Sequence, residues 1–268
     1  VNLIKVNVAN YDQMARLIEG ADHVISLVGI LHETKGNTFE TVQAKGPMLV
    51  GKIAREKNVR SLVHVSAIGA DVNSKSLYAS SKGLGETYIR DEFEKTVILR
   101  PSIIFGPDDN FFNRFANLAA FAPFLPLIGG GTTKFQPVYV QDVASAIMVA
   151  LEDSAKIGND YELGGPSIYS FRELLELLEK HTLRKRALVN IPFFLASLQA
   201  KFLEILPNPP LTRDQVQLLK TDNIVSQDAL TLQDLGISPT SCEAVLPTYL
   251  DRFRPGGRYN RSRLTTSS

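Results

Sequence analysis

Short apolar runs rich in β-branched residues recur along the first half of the chain, with a helical pattern between each pair. Leu3–Val8 (LIKVNV), His23–Val28 (HVISLV), Leu62–Val65 (LVHV) and Thr96–Arg100 (TVILR) have the length and composition of strands. Met14, Leu17 and Ile18 share one face of a first helix, which Asn10–Tyr11–Asp12 can cap and Gly20 ends. Phe39–Lys57 reads as a longer helix with Val42, Met48, Leu49, Ile53 and Ala54 inward and Asn58 as its stop. A third helix runs from Tyr78 to about Phe93, with Leu84, Tyr88 and Ile89 inward. Strands alternating with helices at this spacing predict an α/β fold on a parallel sheet with right-handed crossovers.

After Pro101 the pattern loosens. Asn110–Phe121 reads as a helix carrying Phe111, Phe112 and Phe115, which we expect in a core. Pro123, Pro126 and Gly129–Gly130–Gly131 mark an irregular segment. Phe135–Val140, Tyr161–Leu163 and Ala187–Ile191 read as short strands. Asp142 is placed to cap the helix through Leu151. Ser170 and Glu173 form a capping-box pair ahead of Phe171, Leu174, Leu175 and Leu178 at helical spacing. Further helices are expected over Thr212–Lys220 and Glu243–Phe253. We expect a sheet-based core over residues 1–110. Residues 111–268 would form a smaller, mostly helical region that also returns elements to the sheet and ends in a basic tail.

Composition narrows the classes of function. The formal net charge of +1 over 268 residues argues against nucleic acid as a partner. A single cysteine, Cys242, excludes an internal disulfide and a cysteine-based metal site. His23, His32, His64 and His181 have no metal-ligand spacing, so no metal is expected. His64 lies inside a strand pattern and reads as a core or sheet-edge residue. No apolar run has the roughly 20 residues a membrane span needs.

The stretch from Leu62 to Lys82 carries the chemistry. Its strand ends in Ser66; Tyr78 follows on a helix and Lys82 one turn further on the same face. A serine at a strand end facing a Tyr–Lys pair is a proton-transfer constellation. The lysine's charge can lower the phenol's pKa, the serine can hold a substrate oxygen, and the tyrosine can act as acid or base. Ala67 competes with Ser66 for the critical position. Arg100 either pairs with an acid or lies near phosphates.

Tyr78-Ala79-Ser80-Ser81-Lys82 with Gly85-Glu86, followed by Leu99-Arg100-Pro101 and Phe105-Gly106-Pro107, resembles the short-chain dehydrogenase/reductase superfamily. Longer pieces are similar to its atypical, epimerase/dehydratase-like branch, which includes the dehydrogenase-like accessory subunit of respiratory complex I. They are His64–Asp71, Ile98–Ala116, Leu125–Ile147, Tyr161–Pro166 and Val245–Gly257. The resemblance implies a Rossmann-type, doubly wound parallel sheet. It aligns Leu3–Val8 with the family's third strand, so the first βαβ unit is expected to be missing from this chain. No G-x-x-G-x-x-G occurs in the sequence. Either the chain is a fragment or dinucleotide binding has been lost, and we favour the fragment.

By resemblance, Ser66, Tyr78 and Lys82 are the catalytic residues and also surround the nicotinamide, with Lys82 on its ribose. Asn7 would reach adenine, Gly29 would let the chain approach the ribose and pyrophosphate, and Pro101, Ser102 and Ile103 would line the carboxamide side. The implied cofactor is NADPH rather than NADH. Pro192–Pro207, rich in Phe, Leu and Ile, reads as a buried cap helix or as an interfacial helix touching a membrane or a partner. Arg252, Arg254, Arg258, Arg261 and Arg263 form the basic tail, a possible second contact with a membrane surface or partner. Two functions stay open. One is an accessory or assembly component of complex I, or a bacterial counterpart, holding nucleotide structurally among complex I subunits. The other is an active oxidoreductase or epimerase using Ser66, Tyr78 and Lys82 on a small apolar or quinone-related substrate. The expected place is the membrane-peripheral bacterial cytoplasm or the matrix side of the mitochondrial inner membrane.

Overall fold

The computed structural model describes residues 2–257. The first helix, α1 (Tyr11–Ile18), is capped by Asn10, whose side chain accepts from the Gln13 N–H, and it leads to strand β1 (His23–Ser26). A π-helical turn (Glu40–Lys45) continues into α2 (Gly46–Glu56), followed by β2 (Ser61–Val65), α3 (Leu77–Glu92) and β3 (Val97–Pro101). Asn58, at φ 54°, makes the left-handed turn that stops α2. The excursion beyond β3 comprises β4 (Ile104–Phe105), α4 (Phe112–Phe121), β5 (Phe124–Ile128), β6 (Lys134–Phe135), β7 (Val138–Tyr139) and α5 (Val140–Glu152). The chain then returns as β8 (Asp160–Leu163). It ends through β9 (Tyr169–Ser170), α6 (Phe171–Thr182), β10 (Ala187–Ile191), α7 (Phe193–Leu203), α8 (Arg213–Leu218) and α9 (Cys242–Leu250).

The main sheet has the order β1-β2-β3-β8, and each neighbouring pair is parallel. Alternation on β2 sends neighbouring residues to opposite faces. Leu62 joins Met14, Ile18, Val50, Ile53 and Ile89 of α1, α2 and α3 on one side. Val63 joins Val143, Ala146 and Ile147 of α5 on the other. The result is the expected Rossmann-like, doubly wound α/β architecture. A second core gathers Phe112, Leu125, Phe171, Leu174 and Leu246 from α4, β5, α6 and α9. Phe111 and Phe115 lie against it, so the phenylalanine cluster is core, as its composition predicts.

Three expectations change. Leu3–Val8 is not a strand: residues 2–7 take no regular structure, and Leu3 is 95% exposed. Alternation supplies a period, but a strand also needs a neighbour for its backbone groups, and among the described residues the sheet ends at β1. Asp142 does not cap α5. It lies inside the first turn and accepts from the Thr240 N–H (2.7 Å) and hydroxyl (3.0 Å), tying α5 to the C-terminal segment. The reading of α7 as a buried cap helix also fails, because Ala196 and Ala200 are its buried residues while Phe194 and Phe202 are 69% and 64% exposed. In the basic tail, Arg252 and Arg254 bond the Asn113 side chain and the His181 carbonyl; Arg258, Arg261 and Arg263 lie outside the described residues.

Candidate functional site

The carboxyl ends of β2 and β3 open toward the N-terminus of α3, the place where open α/β sheets bind ligands. Ser66 is the first residue beyond β2, and its N–H donates to the Leu99 carbonyl of β3 at 2.7 Å. Its Oγ is buried without a hydrogen-bond partner among the described residues. Beside it on β3, the Pro101 carbonyl accepts from the Ile68 N–H at 3.0 Å.

Helix α3 begins just before Tyr78 because two groups satisfy its free N–H donors. Ser76 is the N-cap, accepting from Ala79 N–H at 3.2 Å. Asp214 of α8 accepts from the Ser76 hydroxyl (2.8 Å), the Leu77 N–H (2.6 Å) and the Tyr78 N–H (3.1 Å). A carboxylate thus sits on the positive end of the helix. One turn further, Lys82 is 3% exposed and its Nζ donates to the Val65 carbonyl at 3.0 Å. Burial pushes this lysine down to about 8, against the opposing charge of Glu86.

Tyr78 stands edge-on to Phe39, with ring centroids 6.2 Å apart. Burial pushes its phenol up to about 12. This reverses the expected lowering by lysine. Desolvation penalises phenolate and ammonium alike, and the Lys82 ammonium is directed to a backbone carbonyl. His64 is a core histidine whose Nδ1 lies 3.1 Å from Ser26 Oγ. Burial, and then the Lys82 charge, push it down to about 3, so the ring is neutral.

The loop after β1 closes over the lysine. A side chain built on Gly29 would place its first carbon 3.6 Å from Lys82 Nζ and 3.5 Å from Gln43 Oε1. Gln43 is fully buried in the π-helical turn. It accepts from the Ile30 N–H (2.8 Å) and donates to Ser81 Oγ (2.9 Å), which itself donates to the Tyr78 carbonyl (2.9 Å). One amide therefore links the Gly29 loop to the Tyr78 turn. Gln43 was legible as a polar residue in an inward-facing stretch. Asp214 had no such signal, since its partners are more than 130 residues away in sequence.

The other predicted residues are placed differently. Ser102 is buried, with its hydroxyl 2.7 Å from Asn223 Oδ1, while Asn223 Nδ2 donates to the Ile68 carbonyl at 3.1 Å. The Ile103 carbonyl accepts from Val138 N–H. Asn7 takes part in none of these contacts. It is exposed in the turn before α1, where its Oδ1 accepts from Ala9 N–H and its N–H donates to Gln13 Oε1. Arg100 takes the ion-pair role: it is bidentate to Glu86 (2.9 and 2.6 Å) and bonds Asp160 (2.8 Å), which Arg90 also holds. The site thus offers an orphan hydroxyl, an ammonium with one described acceptor for its three protons, and a glycine that leaves room above it. This donor set fits the hydroxyls of a ribose and the amide of a nicotinamide. The Gly-rich turn that would hold a pyrophosphate is not in the sequence.

Residues 1–164 match the NAD dependent epimerase/dehydratase family. The chain belongs to that family. Its relatives include the mitochondrial NADH dehydrogenase [ubiquinone] 1 alpha subcomplex subunit 9 of Arabidopsis thaliana, 33% identical over 95% of this chain and 66% of that protein. The mouse protein of the same name is 33% identical over 91% of this chain and 65% of its own length. The chain therefore spans slightly less than two thirds of these relatives. A ceramide reductase from Caulobacter vibrioides is 31% identical over 50% of this chain and 41% of its own. In fold, the chain is similar to a mutant UDP-glucuronic acid 4-epimerase from Bacillus cereus, solved with a fluorinated UDP-sugar and NAD. The TM-score is 0.70 at 19% identity, over 93% of this chain and 80% of that one. Among the described residues, no helix is long and apolar enough to cross a membrane.

Proposed function

We propose that this family member is the nucleotide-binding part of an accessory subunit of mitochondrial respiratory complex I, peripheral to the inner membrane on its matrix side, and that it holds NADPH as a structural ligand. The observation that carries this reading is its similarity, over 91–95% of its length, to proteins named as subunits of that complex. Lys82 would hold the nicotinamide ribose, Ser66 and Tyr78 would flank the ring, and Gly29 would admit the backbone close to the sugar. Pro101, Ser102 and Ile103 would line the carboxamide side, and Asn7 would lie toward adenine. A bound nicotinamide supplies hydride-transfer chemistry. The residues around it here favour holding over turnover, because a phenol near 12 beside a weakened lysine is poorly placed as a base near neutral pH. A ligand at 100 times its dissociation constant adds about 2.7 kcal/mol to the stability of a fold that binds it only when native.

A second reading keeps the site active. Tyr78 and Lys82 are stacked one turn apart beside a free Ser66 hydroxyl, and one relative is named as a reductase of ceramide. Tyr78 would then give its proton to a substrate oxygen held by Ser66, with an apolar molecule as substrate. The deciding experiment purifies the protein from its source, identifies bound nucleotide by mass spectrometry and follows co-migration with complex I on native gels. Stoichiometric NADPH, co-migration, and loss of nucleotide in Lys82→Met are expected. Reduction of a ketone or long-chain amide substrate that Tyr78→Phe abolishes would establish the enzyme reading instead.

A further inference from the structure

A cavity of about 410 Å³ lies between the loop after β1, the start of α4 and the segment joining α7 to α8. Its polar wall carries Arg114, Asn37 and Asn110, its apolar wall Ile30, Leu31 and Pro209, and no carboxylate lines it. The deeper arginines of the sheet region, Arg90 and Arg100, are each paired with carboxylates. Neither the Arg114 guanidinium nor the side-chain amides of Asn37 and Asn110 have a hydrogen bond or ion pair with another described residue. Surrounding atoms partly desolvate the guanidinium and hold it below the usual arginine range. The guanidinium is exposed on the cavity wall and has no counter-charge among the described residues, and an anion in the cavity would supply one through charge-assisted hydrogen bonds.

The chain joins the apolar wall to α7. From the helix end the chain passes through Ile205, which is 81% exposed, and Leu206 to Pro209 in the cavity wall. Leu198 and Phe202 also face outward, because the helix turns its small residues, Ala196 and Ala200, toward Ile128 and Val216. An uncompensated cation thus lines a cavity whose Pro209 wall the chain joins to the exposed apolar residues at the end of α7. Gln215, next to the Asp214 that holds the start of α3, is also on the cavity wall.

We propose that this cavity is the headgroup site of an anionic amphiphile: Arg114, with Asn37 and Asn110, holds the anionic group, and the outer face of α7 takes the hydrocarbon chain. The site stands independently of nucleotide binding. The test titrates the purified protein calorimetrically with dihexanoyl phosphatidic acid below its micelle concentration, with dihexanoyl phosphatidylcholine, and with inorganic phosphate. Saturable binding of phosphatidic acid is expected, about tenfold or more tighter than either of the others. Arg114→Gln should weaken it about tenfold and Arg114→Lys less, while the double change Phe202→Ser/Ile205→Ser should bring its affinity down toward that of inorganic phosphate. The two arginine variants touch an exposed side chain, and unchanged thermal melting verifies their folds. Equal binding of phosphatidic acid and phosphatidylcholine, equal binding of phosphatidic acid and phosphate, or indifference to Arg114→Gln would each overturn the proposal. So would binding to phosphatidic acid vesicles without binding to the monomer, which would make the face a membrane-docking surface. Loss of NADPH binding in Lys82→Met with phosphatidic acid binding intact would separate this site from the nucleotide site.

Discussion

Helices α3 and α7 break the usual pattern of a surface helix in opposite directions. The buried side of α3 is made of Ser81, Lys82, Gly83, Gly85 and Glu86 along with Ala79 and Ile89. The buried side of α7 is made of two alanines, and its large apolar residues face outward. In α3 the polar groups are matched inside the protein: Glu86 to Arg100, Lys82 to the Val65 carbonyl, Ser81 to Gln43. The glycines let this helix come close to its neighbours, and a side-chain carbon on Gly85 would lie 2.0 Å from the Gln43 carbonyl oxygen. In α7 the mismatch is left open. Each exposed Phe or Leu forgoes roughly 1.5–3 kcal/mol of burial, which a ligand or partner can recover. A helix that hides polar groups is organised around an internal site; a helix that displays apolar groups is organised around something outside the chain.

This contrast can be broken at several points. The largest effect is expected at Glu86→Ala, which removes the bidentate partner of Arg100 and leaves it Asp160, a carboxylate it shares with Arg90. Removing one partner of a fully buried pair costs about 3–5 kcal/mol; with Asp160 retained the expected loss is about 2–3 kcal/mol, measured by denaturant unfolding. A loss below about 1 kcal/mol would show that the ion network is not what fixes α3. Gly85→Ala comes next, at about 1–3 kcal/mol, because the added carbon meets backbone rather than a side-chain tip.

Lys82→Met separates binding from stability. The nucleotide-free protein should keep or gain stability, because an apolar side chain of similar length replaces a desolvated cation. NADPH affinity should fall by about tenfold or more, as expected for loss of a charged hydrogen-bond donor. The pH dependence gives a further check. The folded lysine titrates near 8 and a free lysine near 10.5, so between those values the unfolded chain binds more protons. Stability contributed at this position therefore rises from about pH 8 toward 10, and Lys82→Met should flatten that slope in thermal melts. Above 10 the raised Tyr78 phenol acts the other way, because the folded state then holds the extra proton. The smallest effect is expected on the outer face of α7 and in the turn just after it. Phe194→Ser or Ile205→Ser should change the unfolding free energy of the purified protein by no more than about 0.5 kcal/mol. A large loss would mean that α7 is covered within the chain after all.

Much of the core was legible from residue order. The β-branched runs of β1, β2 and β3, the helical stops at Gly20 and Asn58, and the Ser170–Glu173 capping box all formed where their local chemistry predicts. Ser66, Tyr78 and Lys82 were visible because strand end, helix start and an i, i+4 step are local relations. Their titration was not visible. The charge of Lys82 suggested a lowered phenol, while burial, a property of the whole fold, raised it. Leu3–Val8 shows a similar limit: a strand's alternation is written in its own residues, but its partner is not.

The sequence by itself determined the alternation of strands and helices, the parallel sheet and the Tyr–Lys step, because these follow from periodicity and propensity over a few residues. Tertiary structure alone decided which polar groups are paired and which apolar ones are left out. Asp214 reaches the start of α3, Arg100 finds Glu86, Gln43 ties the Gly29 loop to Tyr78, and Arg114 finds no counter-charge. These outcomes depend on distances between residues far apart in the chain, and in this protein such long-range distances settle what the site can hold.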